Sequence, residues 1–277
     1  MNDLLQYIEQ SDSALIVNFW ATFCGPCIEE IPYFQAIAKK YEGKKAKLLL
    51  VSLDFDENYP EKITAFAKKY GFTAEIVWLD ESKPDEFCPK IDSSWSGAMP
   101  ATLFVNTKLK YRYFVESKLN AERVEAEVIN LTNYKCPENL PAHNGWVNDF
   151  EDIFTDTEEK ELSLKIERIN QQKTAQIVLV TIEDYHPVES ISLYAFYIGR
   201  CWRIGEAETK NGIVILVSRN RKKIWISNGY GIERKMSDAE TKEIIDKYLI
   251  PSFKEGQYYK GSIDAINAIE KKLKKDD

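Results

Sequence analysis

FWATFCGPCIEEIP (residues 19–32) places Cys24 and Cys27 three residues apart, where an apolar run gives way to a helical pattern. A thiolate, not a thiol, attacks a disulfide, so a redox cysteine needs a lowered pKa. A strand-to-helix junction supplies it, because the amides and dipole of the following helix favour negative charge at Cys24. Cys27, one turn on, faces Cys24 closely enough to bridge it and to resolve a mixed disulfide. Pro26 lacks an N–H that the first turn leaves unpaired anyway, and Gly25 keeps the approach to the sulfur open. Three other readings stay open. Half a zinc site would need a second ligand pair at zinc spacing, and the sequence offers none. A purely structural bridge closing so small a loop would stabilise little. A degenerate redox domain could serve binding alone.

Working outward, residues 14–20 (ALIVNFW) read as a strand entering this junction, and Pro26 to Tyr41 as the helix leaving it. Residues 47–53 (KLLLVSL) are nearly all apolar, as a strand buried on both faces should be. A helix fits Pro60 to Tyr70, closed by Gly71. After a polar loop come strands at Ala101–Asn106 and Lys110–Glu116, then a helix from Asn120 to about Asn133. This alternation specifies an α/β sandwich. Met99-Pro100 precedes the strand at Ala101, and an X-Pro bond there can be cis and present the Met99 backbone to a peptide.

Residues 134–148 (YKCPENLPAHNGWVN) carry two prolines, a glycine and no periodicity. They divide the chain near residue 140 into domains at 1–135 and 146–277, with 136–145 as linker. The second half restarts the alternation. Thr155 to Glu158 and Ser237 to Glu240 are capping boxes, and Ala175–Ile182, Gly212–Ser218 and Lys223–Ser227 read as strands. Residues 262–275 form an amphipathic tail helix with Ile263, Ile266, Ile269 and Leu273 on one stripe.

With 277 residues, the chain has room for two cores. A net charge of -7 argues against non-specific binding to nucleic acid or anionic membrane, and no run is apolar enough for a membrane span. Cys88, Cys136 and Cys201 read as buried free thiols, and His143 and His186 as surface residues. The first residues lack a basic and then apolar leader, which predicts a cytoplasmic chain, or a cell-envelope one if a segment has been removed.

Residues 4–132 resemble the thioredoxin superfamily, and within it the TlpA-like branch. Trp20 to Cys27 is similar to that family's active-site motif, and Met99-Pro100-Ala101-Thr102 to its cis-proline loop. The resemblance implies a nucleophilic Cys24, a resolving Cys27, and substrate contacts at Trp20, Gly25, Pro26, Met99 and Pro100. Glu30 matches the TlpA-like acidic position and becomes the expected proton acceptor for Cys27. Phe23 stands where the family usually has Trp, and Asn18 where thioredoxin has a buried acid. The expected partners are protein thiols and disulfides and an electron donor that the sequence does not identify. The dithiol chemistry requires no cofactor.

Residues 146–272 resemble the TPM domain, the family of the thylakoid lumen acid phosphatase. The matching stretches include Val147 to Phe150, Trp202 to Gly205, Asn211 to Val217, Gly229 to Glu233 and Ile250 to Phe253. That resemblance implies a Ca²⁺, Mg²⁺ or phosphate site at a sheet edge, with Asp149, Glu233 and Asp238 as candidate ligands, since hard cations take oxygen. The alternative is a solvated rim with Asp238 capping its helix. Together the halves predict a disulfide reductase with an appended TPM-like module. Two other readings are a phosphatase or cation-binding module with a redox-regulated domain, and an adaptor that docks the redox half on a partner.

Overall fold

The structure, a computed structural model, describes residues 1–132, 135–206 and 208–274. The chain divides into two compact units, Met1–Lys135 and Cys136–Asp277.

In the first unit the order is α1 (Asn2–Gln10), β1 (Ala14–Trp20), α2 (Gly25–Lys40), β2 (Ala46–Ser52), α3 (Glu61–Tyr70), β3 (Glu75–Trp78), α4 (Pro84–Ile91), β4 (Ala101–Asn106), β5 (Tyr111–Val115) and α5 (Ala121–Leu131). The sheet order is β3-β2-β1-β4-β5, with β1, β2 and β3 parallel and β4 and β5 antiparallel to their neighbours. All of β1 is buried, which explains why its sequence is apolar on both faces. Alternation then sorts its side chains. Leu15, Val17 and Phe19 pack with α1 and α4, through Leu4, Ile8, Phe87 and Ile91. Asn18 and Trp20 face the other way, toward Glu30 of α2 and Phe66 of α3. This is the thioredoxin fold.

The stretch expected as a polar loop contains β3 and α4. β3 has four residues and none is fully buried, so its pattern is weak. Pro89 inside α4 disguised a helix whose Phe87, Cys88 and Ile91 are buried. Gly71 closes α3 in the left-handed conformation at φ 70°, where a side chain would be strained. The expected helix ends at Asn133 and Lys275 lie outside the described residues.

The second unit runs β6 (Val147–Asp149), α6 (Asp156–Gln171), β7 (Gln176–Thr181), α7 (Ile191–Cys201), β8 (Gly212–Ser218), β9 (Lys223–Asn228), α8 (Tyr230–Glu233), α9 (Asp238–Ile244), a π-helical segment Ile245–Leu249, α10 (Ile250–Lys254) and α11 (Tyr258–Leu273). Its sheet order is β6-β7-β8-β9, with only β9 antiparallel. Both capping boxes form. One sheet face packs Ile177, Leu179 and Ile215 against α6 and α11. The opposite face packs Val178, Val180, Val214 and Leu216 against α7. Sequence periodicity missed α7 because seven of its residues, from Ile191 to Ile198, are buried and leave little polar stripe. Glycine is required at 212 and 231 by close approach: a Cβ there would lie 2.3 Å from the Ile204 carbonyl oxygen and 1.9 Å from that of Thr209.

Two cysteine expectations need correction. Cys88 is a buried free thiol, but Cys136 and Cys201 form a disulfide. At a sequence separation of 65, no spacing motif marks the pair. Residues 136–145, expected as a linker, are grouped with the second unit and tied to it by this bridge.

Candidate active site

β1 ends at Trp20, and four residues later Cys24 becomes the N-cap of α2. Its Sγ accepts a hydrogen bond from the Cys27 amide at 3.3 Å, so an unpaired first-turn N–H points at this sulfur. Cys24 and Cys27 are joined in a disulfide with Cα atoms 5.3 Å apart. Gly25 and Pro26 are exposed, Cys24 is nearly buried, and Cys27 has no exposed surface. A reagent from solvent therefore reaches Cys24 first.

The antiparallel register of β1 and β4 pairs Phe19 with Ala101 and Asn18 with Thr102. It brings the Met99-Pro100 turn to the sheet end that carries the cysteine loop. The Met99–Pro100 bond is cis, with Met99 half-buried and Pro100 buried. The turn before it is pinned from both sides. Glu116 accepts from the Ser96 amide at 3.0 Å, the Ser96 hydroxyl at 2.5 Å and the Ala98 amide at 2.8 Å, while Trp95 Nε1 donates to the Ala98 carbonyl at 3.0 Å. Burial works to raise the Glu116 pKa, but the hydrogen bonds from Ser96, Ala98 and Gly97 outweigh it and hold the carboxyl below its ordinary value.

Glu30 lies one turn past Cys27 on α2 and is completely buried. Asn18 Nδ2 donates to its Oε1 at 2.8 Å and the Leu119 amide to its Oε2 at 3.1 Å. Asn18 Nδ2 also donates to Thr102 Oγ1 at 3.0 Å, linking the acid to the strand that begins after Pro100. Desolvation pushes the Glu30 pKa up to about 7, against the lowering effect of Leu119, Asn18 and Lys118. A carboxyl that titrates near neutrality is suited to exchanging protons.

Trp20, expected to contact substrate, lies beneath the surface. It is fully buried, with its ring 5.3 Å from Phe72 and 6.1 Å from Phe66. Its position in the strand directs it into the layer under α3. The exposed aromatic at this end is Phe23, stacked at 5.8 Å on Phe55, itself exposed. Asp54 joins the loops that carry these two rings. Its carboxylate accepts from the Thr22 amide at 3.0 Å and hydroxyl at 2.5 Å, and from Ser52 Oγ at 2.8 Å. Sequence reading took Thr102 only as part of the cis-proline loop and passed over Asp54, although a polar residue just past a buried strand is a signal that could have found it.

In the second unit the candidate carboxylates lie on separate elements, Asp149 in β6, Glu233 in α8 and Asp238 in α9. Asp149 accepts from the Ile153 amide at 2.7 Å, the Phe154 amide at 2.8 Å and the Thr181 hydroxyl, so it is committed to closing its own loop. Glu233 lies in α8 and Asp238 in the first turn of α9, whose cap is Ser237. Among the described residues no group of three or more His, Cys, Asp or Glu side chains is arranged to hold a metal ion.

A thioredoxin-fold unit with a dithiol at a helix N-terminus, joined to a separate α/β unit, is thus the class of molecule. A family model described as the AhpC/TSA family matches residues 3–114, and one described as the TPM domain matches residues 147–272, so the chain joins these two kinds of region. The thiol-disulfide oxidoreductase ResA of Oceanobacillus iheyensis is 29% identical over 121 residues, 44% of this chain and 58% of that protein. A thioredoxin of Chlorobaculum thiosulfatiphilum is 43% identical over 51 residues, 18% of this chain and 44% of that protein. The chain spans roughly half the length of these curated relatives. Among solved structures, a thioredoxin-related protein from Neisseria meningitidis serogroup B has 23% identity and a TM-score of 0.39, covering 46% of this chain and 91% of that one. No helix among the described residues is long and apolar enough to cross a membrane.

Proposed function

We propose that residues 1–135 act as a thiol-disulfide oxidoreductase working as a disulfide reductase, with Cys24 as nucleophile, Cys27 as resolving thiol and Glu30 as proton acceptor. The observation that carries this reading is the Cys24–Cys27 disulfide at the start of α2, with the outer sulfur at the cap and the inner one buried. In the reduced protein, the Cys24 thiolate attacks a substrate disulfide and forms a mixed disulfide. Cys27 then loses its proton to Glu30 and attacks Cys24 Sγ, releasing the substrate as a dithiol and restoring the bridge. Gly25, Pro26, Met99 and Pro100 border the approach, and Phe23 and Phe55 offer an apolar landing beside it. The relatives named as oxidoreductases and thioredoxins support the reaction class.

The Gly-Pro interior supports the reducing direction, as in thioredoxin, whose potential lies far below that of an oxidant such as DsbA. Turbidimetric reduction of insulin by the full chain with a dithiol donor tests the activity, and titration against a glutathione series tests its direction. A pair that stays reduced in the DsbA range overturns the direction while leaving the chemistry intact.

We also propose that the chain works in an oxidising compartment, because the Cys136–Cys201 bridge would not persist in a reducing cytosol. For Ca²⁺ or Mg²⁺ binding by the second unit, the described residues hold no group of three or more His, Cys, Asp or Glu side chains that could serve as ligands.

A further inference from the structure

We propose that Cys136–Cys201 is a second exchangeable disulfide, a redox-operated tether that clips residues 136–143 onto the end of α7 and frees them when reduced. The proposal goes beyond the reductase reading and stands independently of it.

α7 packs on the sheet face opposite α6 and α11. Residues 136–146 supplement it as a strap with no helix or strand of its own. Leu140 packs against the Tyr194 and Ile198 cluster. Trp202, just past α7, donates from Nε1 to the Pro141 carbonyl at 3.0 Å, and the His143 ring stacks on it at 4.9 Å. Asn139 Nδ2 donates to the His186 carbonyl at 2.7 Å. The far end is fastened separately, through the Asn144 amide to Asn148 Oδ1 at 2.7 Å and Asn148 Nδ2 to the Gly145 carbonyl at 2.8 Å. The bridge therefore controls one end of a strap whose other end stays attached to β6.

Accessibility separates this bridge from the remaining cysteine. Cys136 is exposed and Cys201 half-buried, and exposed disulfides are the ones that exchange. Cys88 is buried, its thiol pushed up to about 11 by burial and then by Glu116 and Asp85, so it stays protonated and inert.

The reductant is a reduced CxxC protein dithiol. Its thiolate attacks Cys136 Sγ, forming an intermolecular disulfide and expelling Cys201 as a thiolate that takes up a proton. The second thiol of the reductant gives up its proton and attacks its own partner's sulfur, releasing Cys136. Two electrons pass to the bridge, and the reductant leaves as a disulfide. Release uncovers Trp202 and the flank of α7 beneath Leu140.

The test uses the full chain carrying Cys24→Ser and Cys27→Ser, titrated with dithiothreitol in native buffer. Alkylation of Cys136 and Cys201 is read by mass spectrometry, beside hydrogen exchange on the same samples. The expected result is joint labelling of Cys136 and Cys201 with Cys88 unlabelled. Exchange should rise about tenfold or more in residues 138–143 and the last turn of α7, with β7 and β8 unchanged. Labelling that requires denaturant overturns the proposal, as does labelling with no change in exchange. A rise spread through β7 and β8 also overturns it, because the bridge would then be a global staple. Adding Cys136→Ser and Cys201→Ser should reproduce the loosened strap without reductant. If that variant does not fold, the titration decides alone.

Discussion

The two disulfides sit at opposite ends of helices. Cys24 caps the N-terminus of α2 with a backbone amide directed at its sulfur, whereas Cys201 is the last residue of α7, where the dipole makes it a slower-leaving thiolate. Loop size differs as sharply. The first bridge spans a sequence separation of 3 and the second one of 65. On the chain-entropy model they stabilise by about 2 and about 4 kcal/mol respectively. One bond is therefore placed to be made and broken cheaply and to react quickly. The other is placed to hold structure and to react as a target. Helix polarity and loop length, more than the presence of a disulfide, set the role.

The largest effect expected from breaking this comparison is at Cys24. Cys24→Ser should lower insulin reduction by at least about a thousandfold, while Cys27→Ser should accumulate mixed disulfides on Cys24. Adducts on Cys27 in the Cys24→Ser chain would reverse the two roles.

Next comes the far bridge. Cys136→Ala with Cys201→Ala should loosen the strap and lower the melting temperature of the second unit by only a few degrees, well short of the roughly 10 °C that the full loop-closure value of about 4 kcal/mol would give. Insulin reduction should not change. A loss of activity equal to that at Cys24 would erase the contrast.

Glu30 sharpens the first side. Its folded pKa is raised from 4.5 to about 7, so ionisation opposes folding. Below about pH 4.5 the group is neutral in both states and exacts no penalty. Between there and about 7 the unfolded carboxyl ionises first, and stability falls by on the order of 3 kcal/mol before levelling off. Glu30→Gln should flatten this slope in urea melts and slow the resolving step more than the attack. An unchanged slope would show that Glu30 titrates normally.

The smallest effect is expected at the exposed rings. Phe23→Ala or Phe55→Ala should raise KM about fivefold, near 1 kcal/mol of lost apolar contact, with kcat retained. Equal KM values would make the pair a packing contact only.

The reactive end was legible because its chemistry is local: Cys24, Pro26, Cys27 and Glu30 lie within one stretch, and Met99-Pro100 opens a recognisable strand. What escaped depends on pairing across the chain. Cys136 meets Cys201 only after α7 and its strap are in place. Trp20 looks like a site residue in one dimension, yet strand alternation turns it into the core. Nor could the sequence show that Asp149 accepts from the Ile153 and Phe154 amides through one oxygen and from the Thr181 hydroxyl through the other. α7 was hidden by its own burial, since a helix apolar on most sides has little period to read.

Asn18 has a consequence of a different kind. Its Nδ2 serves both Glu30 and Thr102, while its buried Oδ1 has no hydrogen-bond partner among the described residues. That arrangement suits an ionised Glu30, which only accepts. A neutral Glu30 carries a hydrogen with nowhere to go unless the amide turns over, and a half-turn about its last bond offers the orphaned oxygen instead. An aspartate at the same place would repel the ionised acid, and a leucine would strand the neutral one. An amide can meet either state of the acid by turning over, so a change in the proton count of this interior would need no movement of the backbone.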